Sequence, residues 1–229
     1  SNVDQLIFCD SDIWFIKNSI FRELSEQLIN NPLLSAVSSR PIKDLTLSKD
    51  KLSFSDKAIA ASGDGLNNWK TSICGQLYVL TSTTARSIYL PVGLPVEDGY
   101  VRAMVLTNNM TEAEALSKIS GYEDIFHLYR SERTISNLIN HQTRIVIGSA
   151  INYLVFNALR EKDFHRNEMI EYIRSISEDE NWLAKLIKLK LPSKKYGWVP
   201  WHFLIKRLKY AASDRRRLLK LKQLVILIL

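Results

Sequence analysis

The stretch Val3 to Phe15, VDQLIFCDSDIWF, decides how the rest of the chain is understood. Its apolar run Leu6-Ile7-Phe8-Cys9 stops at two aspartates, Asp10 and Asp12, separated by Ser11. A short apolar run bounded by polar residues predicts a buried strand. Side chains at i and i+2 of a strand share a face, so the two carboxylates converge where that strand ends. Oxygen-only ligands of this kind suit a hard divalent ion, which in turn attracts phosphate oxygens. The same pair also suits a solvated strand end or an Asx turn. The remainder of the chain has to decide between them.

The chain has 229 residues, 46% of them hydrophobic and 24% charged, which is ordinary globular material for one large domain or a domain with an appendage. Cys9 and Cys74 stand in apolar contexts without metal-like or disulfide-framework spacing, which points to a reducing compartment. The net charge of +7 is unevenly placed. Residues 181–229 hold 13 of the 31 Lys and Arg against a single acid, Asp214, a net +12; residues 1–180 hold 18 basic and 23 acidic residues, a net −5. A mildly acidic body with a basic, apolar tail is not the profile of a nucleic-acid binder; it fits an anionic membrane surface. No signal peptide is visible at Ser1-Asn2, and no run of 18 apolar residues predicts a membrane span. A strand this close to residue 1, ending in paired acids, leads us to expect further strands before Ser1.

Along the chain, Asn18 or Ser19 caps a predicted helix with Ile20, Phe21, Leu24, Leu28 and Ile29 on one face, stopped by Asn30-Asn31-Pro32. A strand is predicted over 33–38, then Arg40-Pro41-Ile42. Residues 43–72 read as polar and irregular, with a turn at Ser62-Gly63-Asp64-Gly65. ICGQLYVL (73–80) has strand character, with Gly75 where a ligand or backbone can approach closely. A short helix over 83–88 and a stiff loop PVGLP (91–95) lead to Val96-Glu97-Asp98-Gly99, acids opening a helix that runs to about Leu106. Acids there are also favoured simply by the helix dipole and free amides. A strand over 125–129 precedes a long helix from Thr134 towards Leu159, on which His141, Arg144 and Ile145 share a face. Amphipathic helices fill 163–191. KKYGWVPWHFLIKRLKY (194–210) interleaves aromatics with cations as interfacial anchors do. The final RRRLLKLKQLVILIL suits an in-plane helix or the start of a membrane segment, and also a basic helix packed on the domain or on a partner.

Four segments together, Asp10-Ser11-Asp12, ICGQLYVL at 73–80, LPVEDGYVRAM at 94–104 and HQTRI at 141–145, resemble a family 2 glycosyltransferase with the GT-A fold. The two acid motifs lie 86 residues apart, from Asp12 to Asp98, and the resemblance covers residues 3–158. It implies an α/β fold with a GT-A-like mixed sheet flanked by helices, the catalytic domain spanning 1–160 and a helical, basic appendage 161–229. It further implies that Asp10 and Asp12 hold Mg²⁺ or Mn²⁺ on the diphosphate of a nucleotide-sugar donor. Asp98 would be the general base toward a hydroxyl of a glycan or lipid-linked acceptor, and Glu97 would shape that pocket. Gly75 and Gln76 would line the donor sugar or the acceptor. His141 and Arg144 fall where processive members carry Q-x-x-R-W; His141 and Ile145 depart from that pattern, and only Arg144 matches fully. His127 is a further candidate for a metal or phosphate contact, although a lone His near a strand is more often structural.

Two other classes compete. A haloacid-dehalogenase-type phosphatase would use Asp10 as nucleophile and Asp12 as acid/base, with AVSSRP (36–41) and GDGLNN (63–68) as its later motifs. A peripheral membrane or scaffold protein would use only the basic tail. The reading that joins most segments is a metal-dependent, inverting sugar transferase at the cytoplasmic face of a membrane, working in cell-surface glycan or glycolipid synthesis and bound there through residues 181–229, with no nucleic-acid partner.

Overall fold

The computed structural model describes residues 4–47, 53, 56 and 68–190. The turn at 62–65, the segment 194–210 and the tail after it lie outside the described residues. Five strands form one open mixed sheet: β1 (Gln5–Cys9), β2 (Ile13–Trp14), β3 (Ala36–Lys43), β4 (Leu77–Thr81) and β5 (Ile119–Tyr129). Their order is β1-β4-β3-β5-β2. β3 and β5 run parallel, and every other neighbouring pair is antiparallel.

β4 reads as a continuous apolar run because both faces of the sheet are covered there, whereas the edge strand β1 leaves Ile7, Phe8 and Cys9 exposed. On β4, Leu77 and Val79 point to one face, where α1 (Ile20–Asn30) supplies Ile20, Leu24 and Leu28. Tyr78 and Leu80 point to the other, against Val101, Val105 and Leu106 of α4 (Glu97–Thr107). Two short helices intervene, α2 (Asp44–Leu47) and α3 (Ser82–Ser87). The Thr81 side chain caps α3 by accepting the Thr84 N–H at 3.3 Å.

α4 is a sandwiched helix, and its sequence shows why. Val101 and Val105 form one stripe against the sheet; Tyr100 and Met104, one position earlier, form a second against α5 (Ile135–Arg160), α6 (Arg166–Glu178) and α7 (Trp182–Lys190). That second stripe shares a cluster with Val155, Leu159, Met169, Ile173, Ile176, Leu183 and Leu186. Each fully buried side chain of this type contributes about 1.5–3 kcal/mol relative to leaving it exposed. α6 and α7, beyond residue 160, thus share an apolar cluster with the helix that carries Glu97 and Asp98, α7 packing chiefly on α5. Thr134 caps α5, accepting the Asn137 N–H at 3.1 Å.

Three strand limits differ from expectation. β3 extends through Pro41 to Lys43, because β4 pairs only with residues 36–38 and β5 alone pairs with 40–43. Proline is tolerated where one side of a strand has no ladder to feed. β5 begins at Ile119 rather than 125, and a register shift between Ser38 and Arg40 absorbs the residues gained. β4 begins only at Leu77; Ile73 and Cys74 are buried ahead of the ladder. Among the described residues no helix is long and apolar enough to cross a membrane.

Candidate active site

The end of β1 and the start of β4 lie side by side, since Cys9 pairs with Leu77. One step beyond, the Asp10 N–H donates to the Gln76 carbonyl oxygen at 2.8 Å. The acid turn Asp10-Ser11-Asp12 is exposed and then re-enters the sheet as β2. Gly75 and Gln76 thus flank the acid turn, in the turn just ahead of β4.

Asp98 arrives from the opposite part of the chain. It sits in the first turn of α4 beside Glu97. A Cβ placed on Gly75 would lie 3.2 Å from the Asp98 Cβ. The missing side chain at Gly75 is what lets the helix start come this close. Asp98 Oδ1 accepts the Gly99 N–H at 2.7 Å.

Electrostatics tie the acids into one neighbourhood. Burial is the main cause that raises the Asp98 pKa above the usual carboxylate value; Glu97 raises it further, while the Gly99 N–H and Arg144 pull it back. Asp10 is also raised, first by burial, then by Asp12 and Glu97, with Arg144 opposing. Glu97 and Arg144 therefore act on both Asp10 and Asp98. Tyr78 feels the same field: burial, then Glu97, Asp98 and Asp10, push its hydroxyl up to about 12. The Cys74 thiol is pushed up to about 11, chiefly by burial.

Arg144, exposed on α5, acts on these acids through its charge, and His141 is exposed one turn earlier on the same helix. The face that carries Arg144 continues through Gly148 and Asn152 at four-residue spacing. A Cβ on Gly148 would meet Val96 Cγ2 at 2.0 Å, and the Asn152 amide donates to the Val96 carbonyl oxygen at 2.8 Å. α5 thus presses on the peptide immediately before Glu97 and Asp98. Sequence reasoning missed Gly148 and Asn152. The available signal was a glycine inside a long helix, which marks close approach.

His127 is fully buried. Its Nδ1 lies 3.0 Å from Ser39 Oγ and its Nε2 lies 3.1 Å from Gln76 Oε1. Neither ring nitrogen is open to a metal or a phosphate, so the candidate contact at His127 is corrected to a place behind the site. Ser38 and Ser39 are buried as well, and Ser38 Oγ accepts the Cys74 N–H at 2.7 Å. Neither hydroxyl of AVSSRP is open to a phosphate, and GDGLNN falls almost wholly outside the described residues.

Among the described residues no group of three or more His, Cys, Asp or Glu side chains is gathered to hold a metal. Two carboxylates are nonetheless a normal protein share for Mg²⁺, which keeps waters and takes its other ligands from substrate phosphates. The mutual repulsion that raises the Asp10 pKa is what a cation at the turn would relieve. The donor set fits Mg²⁺ or Mn²⁺. No family model matches the chain, and no curated protein matches it.

Proposed function

We propose that the chain is the catalytic part of a metal-dependent, inverting glycosyltransferase that moves a sugar from a nucleotide-sugar to an acceptor hydroxyl. The observation that carries this is the electrostatic neighbourhood shared by Asp10 and Asp98, far apart in sequence and both acted on by Glu97 and Arg144. Paired carboxylates, an arginine whose charge acts on both Asp10 and Asp98, and a third acid held in a partly dry setting form a division of labour suited to group transfer.

Asp10 and Asp12 would hold the cation with the donor diphosphate; when bound, Mg²⁺ or Mn²⁺ offsets the charge that builds on the leaving diphosphate. Arg144 clamps phosphate oxygens from the α5 side. Asp98 takes the proton of the acceptor hydroxyl as its oxygen bonds to the anomeric carbon and the bond to the diphosphate breaks, which inverts that centre. Its raised pKa makes it a stronger base near neutral pH, and general-base assistance is worth about 10²–10⁴ in rate. Glu97, exposed beside it, contacts the acceptor. The acceptor is a glycan or a lipid-linked sugar at the cytoplasmic face of a membrane, where the charge balance of residues 181–229 favours an anionic surface.

Calorimetric titration tests the proposal. A nucleoside diphosphate is expected to bind only with Mn²⁺, and Asp12→Ala to abolish that binding. Asp98→Asn is expected to retain binding and lose transfer. Release of phosphate from a generic phosphoester would favour the phosphatase. Liposome binding without any nucleotide binding, unchanged in Asp12→Ala, would favour the scaffold.

A further inference from the structure

Phe8 stands at the rim of the candidate site and has no role in the mechanism above. It pairs with Tyr78 across the ladder between β1 and β4, and the two rings stack with centroids 4.8 Å apart and planes 9° apart. Tyr78 is buried, whereas Phe8 is 39% exposed. Tyr78 thus covers one face of the Phe8 ring, and what stays open is the ring edge and the side away from β4. Among the described residues β1 is the last strand on that side of the sheet. Rings that stack across neighbouring strands repeat at about the strand spacing of 4.7–4.9 Å. The outer face of Phe8 therefore looks off the sheet edge and offers the next place in the stack.

An exposed phenylalanine is common and needs no explanation by itself. Position sets this one apart. The ladder continues one step past β1, where the Asp10 N–H donates to the Gln76 carbonyl oxygen, so Phe8 and Asp10 point to the same face. That is the face covered by α4, since Tyr78 packs with Val101 and Val105. The Tyr78 hydroxyl pKa, raised first by burial, is raised further by Glu97, Asp98 and Asp10, which sets the stack beside the acids. Along the strand, Phe8 lies about 6.8 Å from Asp10. One ribose bridges a span of that order between a base and its first phosphate. A flat apolar ring with one face backed, and a carboxylate turn suited to a metal-bound diphosphate, thus stand a nucleoside's length apart on one face.

We propose that the outer face of Phe8 is the stacking platform for the base of the nucleoside diphosphate, with the ribose running from it to the Asp10–Asp12 turn. The inference rests on the transferase reading and places the base on a residue that the family resemblance leaves without a role. Stacking tolerates any base, because every base has a π-face, so Phe8 supplies affinity for uridine and guanosine nucleotides alike.

The test has two arms. Calorimetry in Mn²⁺ compares uridine diphosphate, guanosine diphosphate and inorganic pyrophosphate. Phe8→Leu keeps apolar bulk over Tyr78 and removes the π-face. It is expected to weaken both nucleotides by about tenfold, the loss of one base–aromatic stack, and to leave pyrophosphate affinity unchanged. Phe8→Trp is expected to keep nucleotide affinity or raise it. A ring that merely shaped the turn would move all three probes together, so an equal loss for pyrophosphate overturns the inference. Unchanged nucleotide affinity in Phe8→Leu overturns it too, while nucleotide binding that Asp12→Ala still abolishes upholds the transferase. Absence of nucleotide binding by the wild type overturns both. In the second arm, a crystal structure of the wild type with uridine diphosphate and Mn²⁺ is expected to show the base parallel to the Phe8 ring and in contact with it; a base seated elsewhere overturns the inference. If Phe8→Leu fails to fold, that structure carries the decision.

Discussion

Gly148→Ala isolates the way α5 sets the position of Asp98. The new Cβ would lie 2.0 Å from Val96 Cγ2 and 2.6 Å from Val96 Cβ. Carbon atoms rest about 3.5–4 Å apart, so roughly 1.5–2 Å of clearance has to be opened. Overpacking of this kind costs about 1–3 kcal/mol. Alanine regains about 1 kcal/mol over glycine in a helix interior, so the net loss of stability is about 0–2 kcal/mol. Function is far more exposed. Val96 precedes Glu97 and Asp98 directly, and the Asn152 bond to its carbonyl, 2.8 Å long, ties it to the same helix face. A 1 Å misplacement of a reacting group can lower the rate about 10²-fold. The assay pairs denaturant unfolding with the rate of sugar transfer in Mn²⁺, and follows the Glu97, Asp98 and Gly99 amide shifts by NMR. We expect a modest stability change, a rate loss of about 10²-fold and displaced shifts at all three amides. Adding Val96→Ala removes the clashing methyl groups and should recover most of the rate, a coupling that a double-mutant cycle reads directly. A Gly148→Ala protein more stable than wild type, with unmoved Glu97–Gly99 amides, would refute the reasoning.

Asp98→Asn should raise the midpoint of thermal unfolding at pH 7, because a carboxyl whose folded pKa is raised destabilises the fold while ionised; the gain should vanish as pH falls below the ordinary carboxylate range, and an unchanged or lowered midpoint at pH 7 would contradict this. His127 works with the opposite sign: burial lowers its folded pKa to about 4, below the ordinary imidazole value of about 6.5, so stability should fall as pH drops through that window, by about 3 kcal/mol in all, and His127→Gln should flatten the slope in pH-dependent denaturation. Ile173→Ala, in the cluster shared by α4 and α6, should cost about 2–5 kcal/mol and shift one cooperative transition; a separate early transition with the main one unmoved would show that α6 folds apart from the sheet.

The sheet was legible where apolar runs were cut short by strong punctuation, as in Leu6 to Cys9 before Asp10, and in the helix stopped by Asn30-Asn31-Pro32. It was misjudged where tertiary context overrode local rules. The predicted strand stopped at residue 38, yet β3 runs on through Pro41, where only β5 pairs and the missing N–H leaves no gap in a second ladder. Gly121 lies inside β5, where a Cβ would come within 2.6 Å of the Trp69 carbonyl oxygen. The break at residue 160 came from the extent of the family resemblance and the charge of the tail. Neither shows that Met169 and Ile173 share a core with Tyr100. At the site, Asp10, Asp12 and Asp98 stood out because carboxylates ending strands and opening helices are conspicuous in one dimension. Gly148, Asn152 and the Ser39–His127–Gln76 chain did not, because each matters through a neighbour many residues away: Val96 for the first two, β4 for the last.

The account depends most on the acid turn at residues 10–12 and the start of α4 facing one bound cation. Paramagnetic broadening by Mn²⁺ with a nucleoside diphosphate reads this directly in the amide NMR spectrum. The account predicts selective loss of the Asp10, Ser11, Gln76 and Gly99 signals, abolished in Asp12→Ala. Broadening that spares Gly99 while removing the turn, or that persists unchanged in Asp12→Ala, would contradict it.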